Sequence, residues 1–198
     1  MKILIATNNK HKVEEIREIL KNDRIELITL ADLKVKVEVE EDKDTLEGNA
    51  LKKAEEMFKA TGIPTIADDT GLFVEALNGE PGVYSSRFAG ENATYDDNCN
   101  KLLESMKNVP EENRKAYFKT AVCYYESKDR CHFFEGICEG GITKEKSGEK
   151  GFGYDPVFVP NGFTKTYAEM TEEEKNSISH RGKAFRKSGE FFKDKFRD

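Results

Sequence analysis

Residues Ile63-Pro64-Thr65-Ile66-Ala67 form an apolar run that stops at two adjacent carboxylates, Asp68 and Asp69, followed by Thr70-Gly71-Leu72. The pattern predicts a buried strand over 63–67 and a turn at Thr70-Gly71. Two acids at the inner end of a buried strand need compensation, because an unpaired buried charge is costly. A divalent metal, lysines from elsewhere in the chain, or both would supply it. Neighbouring side chains on a regular strand point to opposite faces. Asp68 and Asp69 therefore serve one centre only if a turn redirects one of them.

The rest of the chain reads as strands and helices arranged around that run. Ile3 to Ala6 is apolar throughout and predicts a strand buried on both faces. A polar loop, Thr7 to His11, leads into a helix with Val13, Ile16, Ile19 and Leu20 on one face. Glu14, Glu15, Arg17 and Glu18 lie largely outside that face, and Asn22-Asp23 ends the helix. Ile25 to Leu30 supplies a strand. Val35, Val37 and Val39 alternate with Lys36, Glu38 and Glu40, as in a half-exposed strand or an extended arm. A helix follows Thr45, with Leu51, Ala54, Met57 and Phe58 inward and Gly62 at its end. Thr94 caps a helix through about Met106. Ala116 to Tyr125 and His132 to Glu139 form an antiparallel hairpin around Ser127 to Arg130. Thr171 and Glu174 have capping-box spacing, and a last helix runs from about Lys183 into Phe196. The 198 residues suit one α/β domain built as two lobes, a mixed α/β lobe and a smaller β-rich lobe, which the chain crosses between more than once.

A formal charge of -6 argues against a nonspecific nucleic-acid binder, yet a local lysine pocket can still take a small anion. Cys99, Cys123, Cys131 and Cys138 contain no Cys-x-x-Cys pair, and only His132 lies beside them. They read as reduced thiols of a cytoplasmic protein rather than as a zinc site. Met1 to Ala6 is too short for a membrane span, and no other segment approaches that length.

Three loops carry groups suited to chemistry. Thr7, Asn9, Lys10 and Lys12 sit between a strand and a helix, where unpaired amides and a lysine can receive a phosphate. A capped helix with solvated lysines explains the same stretch, and no Walker glycine pattern is present. Asp68 and Asp69 can hold magnesium, polarise a phosphate or position water. Phe152, Tyr154 and Asp155, flanked by glycines, offer an aromatic face beside an acceptor, or else a glycine-rich turn whose rings complete the core. Lys175, His180 and Arg181 add donors, and Arg87 is a further anion-binding or interface candidate. Phe185, Phe191, Phe192 and Phe196 suit helix packing or a dimer contact.

These segments, taken together, resemble the inosine triphosphate pyrophosphatase family, which acts on noncanonical purine nucleoside triphosphates. The resemblance rests on Ala6-Thr7-Asn8-Asn9 through Lys12-Val13-Glu14, Asn49-Ala50 with Lys53-Ala54, and Ala67 to Leu72. It continues through Gly79 to Arg87, Gly151 to Pro156 and Ser179-His180-Arg181-Gly182. It implies an elongated mixed β-sheet flanked by helices, with two lobes and a central cleft, over 1–198, usually as a homodimer. It implies magnesium-dependent hydrolysis of ITP, dITP and XTP to the monophosphate and pyrophosphate, with no nucleic-acid or membrane partner. By the same resemblance Thr7, Asn9, Lys12 and Lys53 grip phosphates beside Thr70, while Asp68 and Asp69 serve metal and water, Asp69 most directly. Phe152 stacks on the base; Tyr154, Asp155, Lys175, His180 and Arg181 belong to the base pocket, with Ser86 and Arg87 in support. Relatives carry Glu immediately before the Asn-Ala pair, where this chain has Gly48. The metal role passes to Glu47. Rival readings are a Maf-like pyrophosphatase of pyrimidine or modified nucleotides, which the Ser179-His180-Arg181 and Phe152 to Asp155 patterns oppose, and a regulatory nucleotide-binding module without catalysis.

Overall fold

A computed structural model describes residues 1–21, 24–35 and 37–197. Its strands are β1 (Lys2–Ile5), β2 (Glu26–Thr29), β3 (Thr65–Val74), β4 (Pro81–Gly82), β5 (Lys115–Ser127), β6 (Arg130–Ile142) and β7 (Phe158–Pro160). Its helices are α1 (Lys10–Ile19), α2 (Leu46–Thr61), α3 (Tyr95–Ser105), α4 (Glu172–Ile178) and α5 (His180–Lys195). Among the described residues the strands follow the order β2-β1-β3-β5-β6-β7, with β4 beside β3, in a mixed α/β fold. Two compact units result: Met1–Asp69, Thr120–Gly136 and Arg181–Asp198 form the first, Thr70–Lys119 and Ile137–His180 the second. The divisions fall inside β3, β5 and β6, so the chain passes between the two units more than once.

In the first unit β1 pairs in parallel with β2 (Ile3 opposite Leu27) and with β3 (Ile5 opposite Ile66). Alternation along β1 sends Ile3 and Ile5 into one cluster with Ile16 of α1, Leu20 just after it, and Ala184, Phe185 and Phe192 of α5. Leu4 and Ala6 enter another, with Ala50, Ala54 and Met57 of α2. The unbroken apolar strand is thus explained by helices covering both faces. Phe185 and Phe192 are fully buried and Phe191 and Phe196 pack beside them, so the C-terminal phenylalanines are core. Full burial of one such side chain stabilises by about 1.5–3 kcal/mol.

The second unit is built on one cluster that includes Leu72, Val74, Leu102, Met106, Phe118, Phe158 and Tyr167. Capping boxes start α3 (Thr94 with Asp97) and α4 (Thr171 with Glu174). The Arg114 guanidinium, 4% exposed, donates to the carbonyls of Met106 (2.7 Å), Val109 (3.3 Å), Ile142 (2.8 Å) and Thr143 (2.6 Å), tying the segment after α3 to the end of β6.

Several expectations change. No turn follows Asp69, because β3 continues through Thr70 and Gly71 to Val74. Gly71 is needed for close approach instead: a Cβ there would come within 2.6 Å of the Gly82 carbonyl on β4. Val35, Val37 and Val39 are half-buried but not in a strand, so the arm is the correct alternative. Glu15 is buried rather than outside the α1 face. The last helix begins at His180 rather than Lys183. The helix end expected at Asn22-Asp23, and Lys36 of the valine alternation, lie outside the described residues.

Candidate active site

The first unit gathers charge around β3. Asp68 Oδ2 lies 3.1 Å from Lys12 Nζ, contributed by α1, and accepts from Arg181 Nη2 at 3.2 Å and Nε at 3.4 Å, contributed by α5. Arg181 Nη1 also donates to Glu15 Oε2 at 2.7 Å. One residue further along the strand the partners change. Asp69 Oδ1 accepts from Lys53 Nζ at 3.3 Å and Oδ2 from Asn49 Nδ2 at 3.1 Å, both on α2. Lys53 Nζ reaches Glu41 Oε1 at 2.7 Å as well. Strand alternation therefore gives each aspartate its own set of cations, and no redirecting turn is required.

The environments push the two acids apart. Burial raises the Asp68 carboxyl, but Lys12 and Arg181 outweigh it and hold Asp68 well below the usual carboxylate range. Burial also raises Asp69, and there Lys53 does not fully offset it while Glu41 adds to it, so Asp69 stays above its ordinary value. Glu41 is lowered: burial raises it, and the Lys53 ammonium wins. Burial lowers Lys53 and Arg181, yet their acid partners keep both raised. Three cations face four carboxylates in this group, leaving a formal excess of negative charge.

The first loop supplies caps. Thr7 Oγ1 accepts from Asn9 N (3.1 Å), and Asn9 Oδ1 accepts from His11 N (3.0 Å) and Lys12 N (3.4 Å) as the N-cap of α1. Of the two readings of this stretch, the capped helix describes its backbone, while Lys12 is drawn to the acids. Glu47 occupies the first turn of α2, whereas the acid at Lys53 is Glu41 from the preceding arm. Gly48 has a local cause: a Cβ there would stand 2.9 Å from both Lys43 Cβ and the capping Thr45 Oγ1.

The second unit holds an aromatic and charged group. Lys175 Nζ donates to Asp155 Oδ2 at 2.6 Å and lies 4.9 Å from the centre of the Phe152 ring. Asp155 Oδ2 also accepts from Phe152 N (2.9 Å). Gly151, at φ 74°, leaves room for that carboxylate; a Cβ would come within 2.0 Å of it. Tyr95 flanks Phe152 with ring centres 5.9 Å apart. His180 is buried and stacks on Phe118 at 4.4 Å.

Some expected residues fall elsewhere. Tyr154 is core, its hydroxyl donating to the Ser85 carbonyl at 2.8 Å. Arg181, expected beside His180 in that pocket, belongs to the Asp68 group. Ser86 is exposed, and its neighbour Ser85 is the buried hydroxyl, accepting from Leu72 N and donating to Gly82 O. Arg87 stacks over the exposed Tyr84 ring at 5.0 Å. Thr70 is half-buried within β3. Glu15, Glu41, Asn49 and Tyr95 were not foreseen as site residues. Glu15 had a signal, an acid three residues after Lys12 and hence on the same helix face; Glu41 is hidden in a run of acids.

The fold and these groups place the chain in the Ham1 family, which its sequence matches over residues 3–191. It belongs to that family, the inosine triphosphate pyrophosphatase-like group its motifs resemble. It is 53% identical over 187 residues to the dITP/XTP pyrophosphatase of Thermoanaerobacter sp. (strain X514), covering 94% of each chain. The dITP/XTP pyrophosphatase of Porphyromonas gingivalis is 50% identical, over 92% of this chain and 93% of the relative. Among solved structures, a HAM1 protein from Coxiella burnetii aligns with a TM-score of 0.89 at 37% identity, over 98% of this chain and 99% of that one. The Ham1 protein of Staphylococcus aureus aligns at 0.87 and 38% identity, over 98% and 100%.

Proposed function

We propose that this protein hydrolyses noncanonical purine nucleoside triphosphates (ITP, dITP and XTP) to the monophosphate and pyrophosphate, with magnesium. The observation that carries the reading is its 53% identity, over 94% of both chains, to a dITP/XTP pyrophosphatase. The chemistry of the two groups agrees with it. Lys12 and Lys53 match the phosphates; Phe152, Asp155 and Lys175 match a purine.

The donor set suits magnesium. Among the described residues no cluster of three or more acids stands ready as a complete metal cage. Magnesium is commonly held by one or two carboxylates together with substrate phosphates, and keeps several waters. Glu41 and Asp69 share one ammonium, and the group carries excess negative charge. These two acids would hold the ion, while Asp68 stays paired with Lys12 and Arg181. When bound, it supplies charge neutralisation on the phosphates and Lewis-acid polarisation.

The chain's own residues do the rest. Lys53 is drawn towards phosphate oxygens, which relieves Asp69 Oδ1 of its cation and leaves that atom to accept a proton from the attacking water. In the resting site burial holds the Asp69 carboxyl above the ordinary aspartate value. Asn49 keeps Asp69 oriented through Oδ2. Arg181, clamped between Glu15 and Asp68, fixes the carboxylate that faces Lys12. Phe152 offers a ring face to the base, and donors at the base edge favour a 6-oxo group over the adenine amine. Guanosine shares the 6-oxo group, so its 2-amino group must be what is poorly accommodated. A homodimer in the cytoplasm belongs to the same proposal.

The test is a product assay across ITP, dITP, XTP, ATP and GTP, with and without a chelator. ITP, dITP and XTP should be cleaved far faster than ATP or GTP, releasing pyrophosphate only when magnesium is present. Equal ATP turnover, or orthophosphate as first product, would overturn the proposal.

A further inference from the structure

Cys99 and Cys138, in the second unit, lie against backbone carbonyls: Cys99 Sγ reaches Gly153 O at 3.3 Å and Cys138 Sγ reaches Glu139 O at 3.9 Å. Cys123 of β5 and Cys131 of β6 instead meet each other in the first unit, sulfur to sulfur at 3.2 Å. Consecutive strands joined by a short turn hold them there. Cys123 is fully buried in the cluster with Ala50, Ala54 and Met57 of α2, while Cys131 is half-buried at its edge. Phe58 packs edge-on to Tyr125 at 5.4 Å, and the Tyr125 hydroxyl donates to Glu55 Oε1 at 3.4 Å.

We propose that Cys123 and Cys131 are a dithiol modification site, oxidised by a peroxide to an intramolecular disulfide that staples the β5–β6 hairpin. The sulfurs need to close by only about 1 Å to reach bonding distance. Cys131, the more accessible, reacts first: its thiolate attacks a peroxide oxygen, the O–O bond breaks, and a sulfenic acid and hydroxide result. The Cys123 sulfur then attacks the sulfenic sulfur. The S–S bond forms, the S–O bond breaks, and the hydroxyl leaves as water with the Cys123 proton. Two thiols and one hydrogen peroxide give one disulfide and two waters. Burial pushes both thiols up, so the reaction gains rate as pH rises.

The site needs no nucleotide, and its test does not depend on the activity proposed above. The folded full-length protein is treated with hydrogen peroxide, and remaining thiols are alkylated after unfolding. Intact mass and peptide mapping are then read. Of the four thiols, two should be lost, with the peptides carrying Cys123 and Cys131 joined and both thiols recovered by dithiothreitol. Cys99→Ser should leave the cross-link intact. Cys131→Ser, at a half-buried position that tolerates a hydroxyl, should abolish it. Survival of all four thiols, conversion of Cys131 to sulfinic acid without a cross-link, or a cross-link through Cys99 or Cys138 would each overturn the proposal.

Discussion

Lys53 and Asp69 meet at 3.3 Å between the second helix and the central strand, and the same ammonium reaches Glu41 at 2.7 Å. One lysine thus stands between two carboxylates that would otherwise repel each other. Its side chain is 11% exposed. Removing one member of a buried ion pair typically costs about 3–5 kcal/mol, because the remaining charge has lost its partner. Lys53→Met should therefore lower the unfolding free energy by about 3 kcal/mol in urea. Without nucleotide, millimolar magnesium should restore part of that loss in the variant and little in the parent, where Lys53 occupies both acids until phosphate draws it away. A variant as stable as the parent, or one indifferent to magnesium, would show that Lys53 does not separate these acids.

The position of Glu41 changes which acid is expected to tune the metal. Glu41→Gln removes a charge beside Lys53 and Asp69; Glu47→Gln removes one from the first turn of α2. Glu41→Gln should raise the magnesium concentration needed for half-maximal turnover by about tenfold, the equivalent of roughly 1.4 kcal/mol. Glu47→Gln should leave it nearly unchanged. Magnesium titrations of both variants with ITP decide the matter. A larger shift for Glu47→Gln would return the role to that residue.

Legibility in the sequence depends on whether a residue's partners are local. Helix caps are legible: Thr94, Thr171 and Gly62 do their work within a few residues of themselves. The two-faced burial of Ile3 to Ala6 is legible because a short run with no polar position leaves neither face of a strand suited to water. The turn expected after Asp69 is absent because Gly71 is required by a strand that arrives ten residues later, and nothing nearby announces it. Glu41 escapes notice for a similar reason. Val35, Val37 and Val39 do pack inward, but the arm's acids differ only in which distant lysine they meet. His180 and Arg181 read as one unit in the sequence, yet the first stacks on Phe118 while the second pairs with Glu15 and Asp68.

Asp69→Asn separates chemistry from folding. Burial already works against the charged form of Asp69, and the amide group of asparagine fills the same volume. The contact with Asn49 is preserved by an amide oxygen. The variant should keep a melting temperature close to the parent's while losing about 100-fold or more in kcat for ITP, the usual scale for removing a general base. Circular dichroism melts and steady-state assays read the two effects separately. Turnover at the parent rate would remove Asp69 from the proton transfer.

Part of the acid sensitivity should trace to the helix caps of the second unit, beside that of the buried Asp68. Side-chain and backbone bonds from Thr94 lower Asp97; bonds led by the backbone amides of Thr166, which caps the short turn Tyr167–Glu169, and of Thr171 lower Glu169 and Glu174. A carboxyl whose folded value lies below its unfolded one contributes stability above the unfolded value, and that contribution is lost as pH falls through the folded one. The window therefore opens at about pH 4.5 and deepens below it. The urea midpoint should be flat from neutral pH down to about 5 and then fall. In the combined variant Asp97→Asn, Glu169→Gln and Glu174→Gln, each amide oxygen can still accept the capping bond but carries no titrating charge. Its midpoint should start lower at neutral pH and decline less steeply in acid. Parallel curves for parent and variant would mean that other carboxylates govern the acid transition.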